Sequence, residues 1–135
     1  MKNLLSLFLT VMLFASCEPE GSSKQSKLYA RWYNVATIQN SVTTPYEHKP
    51  CAKDYLDFNS SDVVRSYKVI ECDGSQVNAV NKKSGVYTKE GRVVTIKLDG
   101  EPDWVVNVES IKDSILTISE TVNGKEVIHT YTSVP

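Results

Sequence analysis

The chain is poor in the residues from which catalytic and metal centres are built. Its 135 residues include two histidines, His48 and His129, and three cysteines, Cys17, Cys51 and Cys72. No CxxC pair or histidine cluster accompanies them, so the ligand spacing of a structural zinc site is missing. There is no Gly-x-Ser-x-Gly elbow, no phosphate-cradling glycine loop and no Cys–His dyad. The sequence therefore reads as a non-enzyme without cofactor or metal. An excess of one charge is also absent: 15 Lys and Arg stand against 16 Asp and Glu, a net charge of -1. Nucleic acid would demand a basic stripe, so it is excluded as a partner. The longest apolar run, Leu4 to Ala15, is too short for a spanning helix, which needs ~20 residues. Nowhere does a helical period appear.

What the N-terminus does contain is a secretion signal. Lys2 supplies a positive start, Leu4 to Ala15 falls within the ~7–15 residues of an apolar h-region, and small residues precede Cys17. The run Leu13-Phe14-Ala15-Ser16-Cys17 looks like the lipobox of a bacterial lipoprotein, in which the cysteine is lipidated and becomes the mature N-terminus. Phe14 stands where Leu or Val is commonest. Ordinary signal cleavage, leaving Cys17 as a free thiol, is the alternative. This divides the chain into a signal peptide at 1–16, a lipidated Cys17 with a tether at 17–27, and one domain at 28–135. Residues 18–27 have no apolar side chain and, as a flexible coil, would span roughly 17–19 Å. Loss of residues 1–16 removes Lys2 and no acid, leaving 14 basic against 16 acidic side chains. The expected address is the bacterial cell envelope, held to a membrane (the outer membrane, on its periplasmic or surface side) by lipid on Cys17.

Three cysteines in a secreted chain leave one over. If Cys17 carries lipid, Cys51 and Cys72 remain as a pair in an oxidising compartment, where disulfides persist. Closing that loop of about 20 residues is worth roughly 3 kcal/mol in the chain-entropy model. Two buried reduced thiols are the other outcome.

The rest of the chain has a β pattern. Residues 31–39 are rich in aromatic and β-branched side chains. Residues 55–59 and 63–71 follow, bounded by Ser, Asn, Asp or Gly. Residues 86–88 and 92–98 flank Gly91, and 104–108 lead through Lys112-Asp113-Ser114 to 115–122. Asn123-Gly124 is a strong hairpin signal, and 125–133 complete that pair. About eight antiparallel strands with short turns predict an all-β fold, an up-and-down meander closing into a small barrel. Closure removes the edge strands that invite aggregation. A β-sandwich, the alternative, needs longer crossovers. Thr43 to Lys53, with Pro45 and Pro50, is the longest irregular stretch. On the first strand, simple alternation places Trp32, Asn34, Ala36 and Ile38 on one face.

Several pieces combine in a familiar order: Leu28-Tyr29-Ala30-Arg31-Trp32, then Cys51 with Asp54-Tyr55-Leu56-Asp57-Phe58, then Cys72. Gly85-Val86-Tyr87, the strand with Val94, Ile96 and Leu98, and the ending from Leu116 to Tyr131 follow. Together they resemble the lipocalin-like domains of small secreted lipoproteins of the Bacteroidetes type. Ala30 stands where that family commonly has glycine, and Tyr87 where tryptophan is common. The resemblance implies a calycin-like barrel with a Cys51–Cys72 disulfide, and no particular ligand.

Ten residues are predicted to point into the barrel: Trp32, Phe58, Tyr87, Val94, Ile96, Trp104, Val106, Leu116, His129 and Tyr131. An eight-stranded barrel either packs solid or holds one small ligand, so these side chains either fill a core or line a pocket. His48, beside Glu47 on the irregular stretch, reads as a solvated loop residue. His129 reads as a hydrogen-bonded barrel residue. Two functions fit. One is a binding module for a small apolar or amphipathic ligand at the barrel's open end. The other is an envelope interaction protein that docks a protein or glycan partner through its surface or the 43–53 loop.

Overall fold

Hairpins built on left-handed residues set the architecture of the computed structural model, which describes residues 28–135. The signal segment, Cys17 and the tether lie outside the described residues. Asn40 and Ser41, Asp113 and Ser114, and Asn123 and Gly124 all have positive φ, between 50 and 75°. Two such residues in succession make the turn whose twist matches that of the strands it joins. The strands are β1 (Arg31–Gln39), β2 (Val42–Pro45), β3 (Tyr55–Phe58), β4 (Val63–Asp73), β5 (Gln76–Glu90), β6 (Val93–Leu98), β7 (Trp104–Lys112), β8 (Ile115–Val122) and β9 (Lys125–Thr132). They form one sheet in the order β2-β1-β3-β4-β5-β6-β7-β8-β9, and β1 also pairs with β9. β1 and β3 to β9 thus close an eight-stranded antiparallel barrel, as the meander pattern predicts. β2 lies outside it, an extra strand on the second half of β1.

Two elements depart from expectation. β2 occupies the start of the stretch read as irregular, and β5 begins at Gln76 although a strand is expected only from Val86. A third departure concerns β1, where the pairing with β9 shifts between Asn34 and Ala36. This bulge at Val35 resets the alternation. Asn34 pairs with Tyr131 and Thr37 with His129. Thr37, rather than Ala36 or Ile38, therefore shares the inner face with Trp32 and Asn34.

One end of the barrel is solid. Leu28, Trp32, Phe58, Val64, Tyr87, Val94, Ile96, Val106, Leu116, Ile118 and Tyr131 are buried in a single cluster. Two of their polar tips find backbone partners: Trp32 Nε1 donates to the Leu28 carbonyl at 2.9 Å, and Tyr87 Oη to the Asn59 carbonyl at 2.9 Å. Phe58 meets Tyr87 edge-on, centroids 5.0 Å apart, a favoured aromatic geometry. Gly85 marks where β5 passes closest to β6. A Cβ there would lie 1.8 Å from the Lys97 carbonyl oxygen, so no side chain fits.

The segment from Tyr46 to Asp54 is held differently. Cys51 and Cys72 form a disulfide, Cα atoms 5.8 Å apart, tying it to the end of β4. Tyr46 Oη donates to Asp54 Oδ2, and Asp54 Oδ1 accepts from the Val69 amide at 2.7 Å. His48 Nε2 donates to the Asn34 carbonyl at 2.8 Å, while its Nδ1 accepts from the Asp54 amide at 3.0 Å. Accepting at one nitrogen and donating at the other is the pattern of a neutral imidazole. His48 is not a solvated loop residue but a pin between this segment and β1. Burial, reinforced by the Asp54 carboxylate, pushes the Tyr46 hydroxyl up to about 12.

Candidate functional site at the barrel mouth

Beyond the packed end, the inner face of the same strands turns polar. On β4 the inward series continues from Val64 to Ser66 and Lys68. On β5 it runs from Gly85 to Lys83 and Asn81, Ser66 lying opposite Lys83 and Lys68 opposite Asn81. β6 and β7 face them with Ile96, Leu98 and Trp104, of which Ile96 and Trp104 are register partners. Between these walls lies a cavity of about 350 Å³, closed at one edge by Glu101 and Pro102 of the β6–β7 connection. The Lys83 ammonium is paired with the Glu101 carboxylate. A second cavity of about 280 Å³ shares Ser66, Lys68 and Trp104 and reaches Asn34, Leu56 and Tyr131. The two adjoin at Trp104.

A hydrogen-bond relay fixes the Trp104 ring. Its Nε1 donates to Glu120 Oε2 at 2.8 Å, and Glu120 Oε1 contacts His129 Nε2 at 2.7 Å. His129 Nδ1 lies 3.4 Å from Thr37 Oγ1, and the Trp104 and His129 rings meet edge-on at 6.0 Å. Every polar tip in this series is engaged, so the indole is held before any ligand arrives. The mouth is thus amphipathic, with ammonium, hydroxyl and amide groups on one wall and an oriented indole with aliphatic neighbours on the other. Such a mixture typifies small-molecule pockets. Tyr131, at the floor, has its hydroxyl pushed up by burial and then by the Glu120 charge.

Of the ten interior residues predicted, Ile96, Trp104 and Tyr131 border these cavities, and His129 stands directly behind Trp104. Trp32, Phe58, Tyr87, Val94, Val106 and Leu116 lie in the packed cluster. Sequence reasoning missed Thr37, Ser66, Lys68, Asn81, Lys83, Glu101 and Glu120. For Ser66, Lys68, Asn81 and Lys83 the only signal is a polar residue at successive inward steps of β4 and β5, which resembles a solvated strand, and Thr37, Glu101 and Glu120 have no such pattern. Three further hollows occur among the described residues. One of about 340 Å³ is bordered by Arg31, Tyr55, Arg65, Tyr67 and Lys82. The others, about 380 and 480 Å³, are lined by residues around Arg92 and Glu109 and around Asn40, Ser41 and Gly124, and neither of these two has an aromatic wall. Among the described residues no group of three or more His, Cys, Asp or Glu side chains comes together to hold a metal.

Comparison with known proteins agrees with this architecture. The lipocalin-like domain matches residues 28–118. A lipocalin-like protein from Bacteroides uniformis ATCC 8492 shares the fold with a TM-score of 0.59 at 14% identity, over 79% of this chain and 98% of that one. An uncharacterized protein from Bacteroides eggerthii DSM 20697 does so with a TM-score of 0.54 at 9% identity, over 76% and 97%. No curated protein matches the chain. At such identities the likeness to the two structures speaks for the fold, while the matched span covers most of the chain. On that match and this barrel, the chain belongs to the lipocalin-like domain family.

Proposed function

We propose that the chain is a lipid-anchored, non-enzymatic binding protein of the bacterial envelope, holding a small apolar or amphipathic molecule at the mouth of its barrel. One observation carries the reading: Trp104, locked by Glu120, stands between two adjoining cavities while the opposite end of the barrel is packed. A volume of about 350 Å³ falls within the range of roughly 300–1,000 Å³ usual for ligand pockets. The packed end keeps the barrel from becoming a pore, so a ligand enters and leaves on one side. Anchoring through Cys17, and an outer-membrane address, rest on the signal pattern alone.

Native mass spectrometry of the protein purified from its own host and from a foreign one tests the binding role. A recurrent bound mass from the native host alone is expected, and bare protein from both would count against it. Cys17→Ala should release the protein from membrane fractions, and retention there would end the anchoring proposal. A second reading, docking of an envelope partner through residues 43–53, is favoured by one feature. Every residue of β2 is exposed, beside a segment the disulfide holds in place.

A further inference from the structure

We infer that the ligand of the mouth carries an anionic head group, and that Glu101 occupies the position of that group on Lys83 until the ligand arrives. This rests on the mouth being the ligand site and names what it selects. Lys68 and Lys83 project into the larger cavity from neighbouring strands, facing Trp104, Ile96 and Leu98. Glu101 is the acid at that cavity, and it pairs with Lys83. Lys68 makes no ion pair among the described residues. Two cations against one acid leave an uncompensated positive charge at this spot, in a chain whose net charge is -1. Two other acids stand nearby, and both are engaged: Glu120 by Trp104 and His129, and Asp54, which borders the adjoining cavity, by the Tyr46 hydroxyl and the Val69 amide.

The two partners of the Lys83 pair are unequal. The Lys83 side chain is 25% exposed and that of Glu101 48% exposed. A partly buried ammonium needs a counter-ion, whereas a half-exposed carboxylate on a connecting loop returns to water at little cost. A ligand carboxylate or phosphate can therefore replace Glu101 without leaving either charge stranded. Lys68, the Ser66 hydroxyl and the Asn81 amide stand ready as further donors. The tail would lie along Trp104 and toward Leu56 and Tyr131 in the adjoining cavity. A neutral amphiphile gains nothing from Lys83 unless the existing pair breaks, and a cationic one meets two ammonium groups.

The test uses the full chain with Cys17→Ser, which prevents lipidation. It is titrated with dodecanoate, dodecyl phosphate, dodecanol and dodecyltrimethylammonium, each below its micellar concentration. Tryptophan emission is the readout, with Trp104→Phe as the signal control. Charge-assisted hydrogen bonds predict that an anion binds about tenfold or more tightly than dodecanol. Whichever anion is tighter identifies the head group. Glu101→Gln removes the internal competitor and should tighten anion binding several-fold. Lys83→Gln should weaken it about tenfold, and each change should move dodecanol binding by less than it moves that of the anions. Because Glu101 is half-exposed, its variant is expected to fold even if the Lys83 variant does not. Equal binding of dodecanol and the anions, unmoved by Glu101→Gln, would leave the ligand site standing and overturn the anionic preference. Binding of none of the four would remove the site and this inference with it.

Discussion

The two ends of the barrel are built from the same strands and held by different forces. At the packed end, β4 to β7 contribute Val64, Tyr87, Val94 and Val106 to an apolar cluster closed over Trp32. Burying each large apolar side chain contributes roughly 1.5–3 kcal/mol. At the mouth, β4 and β5 present Ser66, Lys68, Asn81 and Lys83, which contribute little of that kind. Ladder hydrogen bonds, the Cys51–Cys72 disulfide and the knot of Tyr46, His48 and Asp54 hold that end instead. A closed barrel can thus give up packing at one end, provided a covalent brace and paired polar groups stand in its place. The surface so released is free for recognition.

The two tryptophans break this comparison most sharply. Trp32→Ala should cost about 3–5 kcal/mol, the usual loss for a buried Trp, as read by denaturant unfolding. Trp104→Ala should cost less than half as much, because Trp104 is only partly buried and borders both cavities. Equal losses would mean that the mouth is packed as firmly as the base. Next comes the brace. Replacing Cys51 and Cys72 together by Ala should cost about 2–4 kcal/mol. Hydrogen exchange should quicken first along β4 and β5 near Cys72 and later around Val94 and Val106. Uniform quickening would show that the disulfide serves the whole barrel.

Alkali should act on the same brace. The hydroxyl of Tyr46 is raised in the folded protein to about 12, from an ordinary value near 10. The folded state therefore holds this proton more tightly than the unfolded chain. Its contribution is complete below pH 10 and is lost as pH rises through 12. Stability should fall over that window, and Tyr46→Phe should flatten the fall. An unchanged slope would assign the loss to the other raised tyrosines, Tyr87 and Tyr131. The smallest effect belongs to the mouth wall. Lys68→Ala and Asn81→Ala should change stability by no more than about 0.5 kcal/mol, as exposed sites do.

What could be read from the sequence follows the same division. Where side chains pack, alternation is visible: Val94, Ile96 and Leu98, or Leu116 and Ile118, announce their strands and their inner face. Where they do not, it vanishes. The first half of β5, Gln76 to Gly85, has only Val77, Ala79 and Val80 as apolar side chains, and they do not alternate regularly with the polar ones. It carries no clear β signature although it pairs with β4 along its length, with two register shifts near Glu71. β2 is invisible for a related reason, being exposed throughout and held only by its hairpin. The bulge at Val35 has no local signal at all, because it arises from how β1 must satisfy β9 as well as β2 and β3. His48 looked like a loop residue because its partners, the backbone of Asn34 and Asp54, have no sequence pattern. The candidate site fell largely within the part that could not be read.

The central claim, one end packed and the other open to a ligand, has two probes already in place. Trp32 and Trp104 each carry an indole N–H, one bonded to the Leu28 carbonyl and the other to Glu120. Both give resolvable signals in a ¹H–¹⁵N correlation spectrum, assigned by Trp104→Phe. On titration with dodecanoate, the Trp104 indole should shift progressively to saturation while the Trp32 indole stays in place. A Trp32 signal that moves as far as that of Trp104, or a Trp104 signal that never moves, would contradict the account.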